Sequence, residues 1–134
     1  MRKDIEIPEV ENVAVAIVQE RSETDEEIWN VYLLNLGEDP LEGILVTSKG
    51  YGELNGEKKN SSVLRQFLDT VPGKGFLKIE PIMKELFGIT NEYWVSFYKK
   101  KVMYDKKYIF LAESVSPQLF TTVPLLRKKG VMIR

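Results

Sequence analysis

The most regular hydrophobic pattern in the chain consists of two apolar segments separated by a short polar turn. Trp, Val, Tyr, Ile and Leu are concentrated in Ile28–Leu36 and Leu41–Ser48, and Gly37–Pro40 lies between them. Apolar segments on both sides of a Gly/Asp/Pro cluster predict two strands joined by a hairpin or by a tight corner. In the first strand both alternating sets of side chains are apolar. This pattern indicates a central strand that is covered on both faces, or one that gives a face to a partner.

Similar segments predict further strands along the rest of the chain. Val13–Glu20 is nearly continuous in apolar residues, many of them β-branched, and predicts a first strand. Later strands are predicted at Phe76–Glu80, Tyr93–Tyr98 and Val102–Leu111. Lys99–Lys101 joins the last two as a hairpin, and Arg127–Arg134 combines a basic run with a short apolar strand. We therefore predict an all-β fold, an immunoglobulin-like antiparallel β-sandwich that forms a single domain over residues 1–134.

The connections between these strands are less regular in sequence. Lys49–Asn60 contains three glycines and predicts a long exposed hairpin loop with a turn at Asn55-Gly56. Ser61–Val71 fits either a strand or one face of a helix. Pro81–Phe87 predicts one or two helical turns, because a proline lies near its start and a glycine follows it. Ser114–Leu126 has two prolines and predicts an irregular segment that wraps the body with a turn of helix.

Composition excludes several classes of function. The chain has 134 residues and contains neither Cys nor His. Disulfides, thiolate metal sites and cysteine nucleophiles are therefore excluded, together with the commonest general base and metal ligand. Serines are present, but none lies in a Gly-x-Ser-x-Gly elbow. We expect a protein that is not an enzyme and that binds no metal and no cofactor.

The sequence offers no segment typical of export or membrane insertion. Met1–Glu9 lacks the apolar core of a signal peptide, and no stretch approaches the length of a membrane span. We predict a cytoplasmic protein that does not associate with membranes.

Three segments between residues 28 and 98 resemble parts of bacterial immunoglobulin-like and fibronectin-like modules. Asn35–Gly37 followed by Pro40–Val46 is similar to their strand–corner–strand, and Val71–Phe76 to the Pro-Gly turn before a mid-domain strand. The third segment resembles the tyrosine corner, in which a Tyr at the start of a late strand bonds to a nearby backbone. It consists of Leu86, Gly88, Thr90 and Tyr93–Phe97. The resemblance implies an architecture and no particular function.

The whole chain, from Ile5–Val10 to Pro124–Val131, also resembles a family of short bacterial proteins of unknown function. Some members of that family carry the label of a phenylalanyl-tRNA synthetase alpha chain. Such an activity requires a large antiparallel sheet with arginine-bearing motifs for ATP. The five arginines of this chain lie in no such motif: Arg2, Arg21, Arg65, Arg127 and Arg134. We therefore expect that the label does not describe this chain.

Charge is distributed unevenly along the sequence. Residues 1–60, which include an acidic lead-in at Asp4–Asn12, carry 6 basic and 14 acidic side chains, whereas residues 61–134 carry 13 basic and 6 acidic ones. If strands from the two halves interleave in one sandwich, these charges mix on its surface. If they do not, the surface is dipolar and presents a basic patch to an acidic partner.

Two binding functions remain open. The favoured one is a protein–protein interaction or structural module that uses exposed aromatic side chains, with an unidentified protein partner or as a homo-oligomer. The alternative is a polyanion or nucleic-acid binder that uses a lysine-rich hairpin. Lysines on a hairpin also keep edge strands unpaired, which is a structural explanation for them. The candidate interaction residues for the two functions are Tyr51, Trp94, Tyr98, Lys99, Lys100, Lys101, Lys106, Lys107, Arg127, Lys128 and Lys129.

Overall fold

A computed structural model describes residues 8–61 and 63–134. The first part of the acidic lead-in at Asp4–Asn12, and the first half of the Ile5–Val10 segment, lie outside these residues. The described part folds into strands and two short 3-10 turns, at Lys84–Gly88 and Pro117–Leu119. In chain order the strands are β1 (Val13–Arg21), β2 (Glu27–Asn35), β3 (Glu42–Leu54), β4 (Glu57–Asn60), β5 (Leu64–Leu68), β6 (Phe76–Pro81), β7 (Thr90–Lys99), β8 (Val102–Phe110), β9 (Thr121–Val123) and β10 (Lys128–Ile133).

The strands form two antiparallel sheets that pack face to face. Sheet 1 has the order β6-β2-β1-β10-β9. Sheet 2 has the order β4-β3-β7-β8, and β5 also pairs with β3. The predicted all-β sandwich with one or two short helical turns is therefore confirmed. The described residues include no helix that is long and apolar enough to span a membrane.

The connection at Gly37–Pro40 is a corner between the two sheets. β2 pairs with β1 and β6 in sheet 1, whereas β3 pairs with β7, β4 and β5 in sheet 2. Asn35 stabilises the corner, because its Nδ2 donates to the backbone oxygens of Asp39 at 2.8 Å and Pro72 at 3.1 Å. At Gly73 a Cβ atom would lie 2.1 Å from the Glu38 carbonyl oxygen, so only glycine fits there. The predicted Pro-Gly turn thus packs directly on the predicted corner.

Sheet 1 is covered on both faces. Its inner face, with Val15, Ile17 and Leu33, faces the core between the sheets, and its outer face carries a second buried cluster that includes Ala16 and Leu34. β2 is therefore a central strand covered on both sides, as its two apolar sets of side chains predict. Trp29 closes one end of the core, with its ring 5.1 Å from that of Phe87 and 5.5 Å from that of Phe120.

The structure shows the form of the connections that the sequence left irregular or open. Lys49–Asn60 is no exposed loop, because β3 continues to Leu54 and pairs with β4 around the predicted Asn55-Gly56 turn. Ser61–Val71, outside Ser62, contains the strand β5 and no helix. Ser114–Leu126 contains a 3-10 turn and the short strand β9, which pairs with β10. β10 in turn lies between β9 and β1, so the last strand is an interior strand of sheet 1.

Candidate functional site

The outer face of sheet 2 carries exposed aromatic side chains. Alternation along β7 places Trp94, Ser96 and Tyr98 on this face, where they pair with Lys107, Asp105 and Met103 of β8 in that order. Phe67 of β5 joins them, because it pairs with Leu45, which pairs with Ser96. Below, "the aromatic face" means Phe67, Trp94, Tyr98 and Met103, whose exposed fractions are 84%, 44%, 46% and 53%.

Cations flank the aromatic face. Thr47 of β3 lies between Trp94 on one side and Arg65 on the other, so Arg65 and Lys107 stand on opposite sides of Trp94 in one row. The Lys107 ammonium lies 4.8 Å from the centre of the Trp94 ring, a distance typical of a cation–π contact. The row therefore combines a large aromatic surface with positive charge.

One carboxylate of the same face is buried and already has partners. Glu92 is 7% exposed. It lies 3.8 Å from the Lys49 ammonium and accepts a 3.3 Å hydrogen bond from the Tyr51 hydroxyl. Tyr51, a candidate interaction residue, is thus half-buried and packs at the far end of this face. Its role in the structure is to hold Glu92.

The predicted lysines of the β7–β8 hairpin are distributed around its turn and its edge strand. Lys100 and Lys101 form the turn itself, both with positive φ, and the Lys100 ammonium lies 3.6 Å from Asp39. The Lys99 ammonium lies 5.0 Å from the centre of the Tyr104 ring. Lys106 similarly lies 5.4 Å from the Tyr108 ring. Most of these side chains therefore have partners within the chain.

The second basic segment, Arg127–Lys129, lies at the opposite end of the sandwich. Lys99 borders the cleft that also contains Val13 at the start of β1, whereas Lys128 binds Glu20 near the end of β1. Seven residues of extended strand separate Val13 from Glu20, which corresponds to about 23 Å. The structure thus does not bring the two basic segments into one patch.

Glu20 is the centre of a polar cluster that holds Lys128. Its carboxylate accepts hydrogen bonds of 2.7 Å from Asn30, 2.7 Å from Tyr32 and 2.5 Å from Lys128. Burial alone would raise the pKa of Glu20, but these hydrogen bonds and the Lys128 charge together outweigh it and lower the pKa. Lys129 beside it lies 3.3 Å from the Thr122 hydroxyl. Lys128 is therefore committed to a structural ion pair.

A cavity between the sheets, lined by both polar and apolar side chains, was not predicted from the sequence. It has a volume of about 290 Å³, and its wall includes Glu80 of β6, Ser48 of β3, Asn91 and Tyr93 of β7, and the apolar side chains of Ile82 and Leu86. Below, "the Glu80 cavity" means this space and these six residues. The Glu80 carboxylate accepts hydrogen bonds from Ser48 Oγ at 3.3 Å and from the Tyr93 hydroxyl at 3.2 Å.

The Tyr93 hydroxyl thus bonds to a carboxylate, and not to the backbone as in a tyrosine corner. A different tyrosine makes the long-range backbone bond: Tyr108 donates to the Val13 carbonyl oxygen at 2.9 Å and ties sheet 2 to sheet 1. Burial is the main reason that the pKa values of both tyrosines are raised, and the Glu80 charge raises that of Tyr93 further. Both phenols therefore remain protonated donors at neutral pH.

A β-bulge explains why Glu80 faces inward. Val31 of β2 pairs with Glu80 and the next residue, Tyr32, pairs with Lys78, so Ile79 is an extra residue on β6. Without the bulge, alternation from the buried Ile79 would direct Glu80 outward. With it, Glu80 lies opposite Val31, whose side chain belongs to the core. Burial raises the pKa of Glu80, and the hydrogen bonds from Tyr93 and Ser48 offset this only in part.

Comparison with known proteins adds no relative. No protein-family model matches the chain, and no curated protein matches it. Evidence on function therefore comes from the aromatic face and from the Glu80 cavity.

Proposed function

We propose that this protein is a non-catalytic interaction module that binds a segment of another protein on its aromatic face. The observation that supports this proposal is the exposure of Phe67, whose side chain is 84% accessible on the same face as Trp94 and Tyr98. Contiguous exposed apolar surface of this kind is characteristic of interaction sites. The mixture of side chains supports it too, because aromatic residues, Met and Arg are enriched in protein–protein interfaces.

The charges beside the aromatic face favour a partner with carboxylates. Arg65 and Lys107 stand on either side of Trp94. Of the two carboxylates on this side of β7 and β8, Glu92 is buried and bound by Lys49 and Tyr51, whereas the exposed Asp105 lies opposite Ser96 and not in the Trp94 row. A partner segment that alternates apolar side chains with Asp or Glu would cover the aromatic rings and place its carboxylates near these cations. Such complementarity sets specificity and association rate.

The positions of the lysines favour a protein partner over a polyanion. Lys100 is paired with Asp39, Lys128 is paired with Glu20, and the two basic segments lie about 23 Å apart along β1. A polyanion gains most of its affinity from several uncommitted cations along one track. We therefore assign the lysines of the hairpin to protection of the edge strand β8.

A peptide-display selection against the protein tests the proposal. We expect peptides enriched in apolar and acidic residues, with micromolar dissociation constants. The double variant Phe67→Ser, Trp94→Ala should weaken their binding at least tenfold. The matched control is Leu119→Ser, because Leu119 is also exposed (54%) but lies in a 3-10 turn away from this face.

Three results would contradict the proposal. They are failure to select any peptide, equal binding by the double variant, and equal loss in the Leu119→Ser control. Self-association of the purified protein that is lost in the double variant would assign the face to a second copy of the chain and overturn the proposed partner. Nuclease-sensitive capture of nucleic acid by the unmodified protein would overturn it as well.

A further inference from the structure

Among the six residues that define the Glu80 cavity, hydrogen-bond acceptors are in excess of free donors. Ser48 Oγ and the Tyr93 hydroxyl both direct their protons at the Glu80 carboxylate, at 3.3 and 3.2 Å. The lone pairs of these two hydroxyl oxygens therefore remain able to accept hydrogen bonds from other donors, and both Glu80 oxygens can accept further hydrogen bonds as well. The amide of Asn91 adds no free donor, since its Nδ2 donates to the carbonyl oxygens of Leu86 and Ile89.

Glu80 forms no ion pair with any lysine or arginine of residues 8–61 and 63–134. Lys49 borders the same cavity, but its ammonium lies 3.8 Å from Glu92 and 5.8 Å from the Tyr51 ring centre, on the outer face of sheet 2. A carboxylate away from water is costly unless it is paired with a cation or loses its charge. The two neutral hydroxyl donors supply only part of that compensation.

The bulge in β6 places this carboxylate in the cavity at a cost to local pairing. Bulges commonly re-aim a side chain next to a functional site. A regular β6 would place Glu80 on the outer face of sheet 1, away from the cavity. A cavity, converging acceptors and an inward-directed acid are therefore found together in one place.

We propose that the Glu80 cavity binds a small alkylammonium ligand, with its ammonium group on the Glu80 carboxylate. The ammonium would donate to the Glu80, Ser48 and Tyr93 oxygens, because a primary ammonium carries three donors and no acceptor. Its alkyl chain would pack on Ile82 and Leu86, which line the apolar part of the wall. The volume of about 290 Å³ lies at the lower limit of ligand pockets and restricts the ligand to a small molecule.

NMR titration with n-butylammonium chloride tests the proposal on the intact protein at constant ionic strength. We expect saturable amide shifts at Ser48, Glu80 and Tyr93. Two probes of nearly the same shape provide the comparison: n-butanol is neutral and should bind at least tenfold more weakly, and butyrate is anionic and should not bind. Equal affinity for butanol and butylammonium would overturn the proposal, as would the absence of saturable shifts with butylammonium.

Variants distinguish the carboxylate from general surface charge. Glu80→Gln keeps the shape of the side chain and should weaken butylammonium binding at least tenfold, whereas the control Glu53→Gln, exposed on β3, should leave it unchanged. Tyr93→Phe removes one acceptor oxygen, and it provides a second test should Glu80→Gln disturb the fold. Unchanged binding in Tyr93→Phe or in a folded Glu80→Gln variant would refute the assignment. Phe67→Ser, Trp94→Ala should retain the binding, so failure here is separable from failure of the aromatic face.

Discussion

At the scale of single residues, Glu80 and Glu20 are half-buried acids with opposite environments. Glu20 accepts hydrogen bonds from a cation and two neutral donors, and its pKa is lowered despite burial. Within the described part of the chain, Glu80 accepts two long bonds, both from neutral hydroxyls, and burial raises its pKa. The difference has measurable consequences for stability, because a shift in pKa between the folded and unfolded states makes stability depend on pH.

We predict that Glu80→Gln becomes more stable relative to the unmodified protein as pH rises. An acid with a raised folded-state pKa contributes stability that is fully present below its unfolded pKa of about 4.3 and is lost as pH rises through the folded value. Tyr93, the titratable group bonded to Glu80, stays protonated throughout, and Lys49 faces Glu92. Urea denaturation at pH 4 and pH 7 measures the change in the difference between the two proteins.

Glu20→Gln provides the comparison of opposite sign. The lowered pKa of Glu20 contributes stability above its unfolded pKa that is lost as pH falls through the folded value. This variant should therefore be destabilised at pH 7 and approach the unmodified protein at low pH. Parallel pH profiles for the two variants would show that the environments of the two acids are not different.

The two tryptophans form a second contrast at this scale. Trp29 is 7% exposed and packs on Phe87 and Phe120, so Trp29→Ala should lower the free energy of unfolding by about 3–5 kcal/mol. Trp94 is 44% exposed, and Trp94→Ala should lower it by less than about 1 kcal/mol. Urea denaturation of both variants checks this. Equal losses would place both indoles in the core and remove Trp94 from the binding surface.

At the scale of elements, hydrophobic alternation predicted the strands whose pattern is local. The ends of β1, β2, β7 and β8 lie within about one residue of the predicted ends, apart from the start of β7 at Thr90, which precedes the predicted Tyr93. The local sequence pattern could not decide whether Gly37–Pro40 forms a hairpin or a corner. That choice depends on contacts with Val71–Gly75, which lies more than thirty residues further along the chain. The inward direction of Glu80 depends on one extra residue in β6, which no alternation rule reveals.

The sequence also did not reveal which side of β5 faces solvent. Ser61–Val71 fits a helical face as well as a strand, and Phe67 would be buried in one and exposed in the other. Only its pairing with Leu45 assigns Phe67 to the aromatic face. Trp94 and Tyr98, by contrast, were candidates from the sequence as aromatic residues of a predicted strand, and the register of β7 then assigns both to the outer face of sheet 2.

The β7–β8 turn gives a prediction at this scale. Lys100 and Lys101 have φ values of 51° and 65°, the left-handed conformation of a two-residue hairpin turn that favours Asn and Gly. Lys101→Gly should therefore raise the free energy of unfolding by about 1 kcal/mol, because a non-glycine residue is strained there. Lys58→Gly in β4 is the control and should lower it by about 0.5–1 kcal/mol. Denaturant midpoints of both variants test this; destabilisation by Lys101→Gly would contradict the strained turn.

At the scale of the whole molecule, the two halves of the sequence interleave. Sheet 1 takes β1 and β2 from the acidic half and β6, β9 and β10 from the basic half, and sheet 2 is mixed in the same way. Acidic and basic side chains consequently meet, as in the pairs Lys128–Glu20 and Lys100–Asp39. The charge asymmetry of the sequence therefore does not become two oppositely charged sheets.

The aromatic face and the Glu80 cavity belong to different parts of this arrangement. The aromatic face is the outer surface of sheet 2, and the cavity lies between the sheets. β7 nevertheless contributes to both, through the consecutive residues Tyr93, which lines the cavity, and Trp94, which lies on the aromatic face. Side chains on opposite faces of one strand point away from each other. Binding at one place therefore does not require residues of the other.

Whether the aromatic face binds a protein segment is tested most directly by the two indole N–H signals in NMR spectra. Addition of a selected apolar and acidic peptide should shift the Trp94 signal in proportion to occupancy. The Trp29 signal should stay unchanged, because that indole is buried between Phe87 and Phe120 at the end of the core. A peptide that binds without moving the Trp94 signal, or that moves both signals equally, would contradict binding on this face.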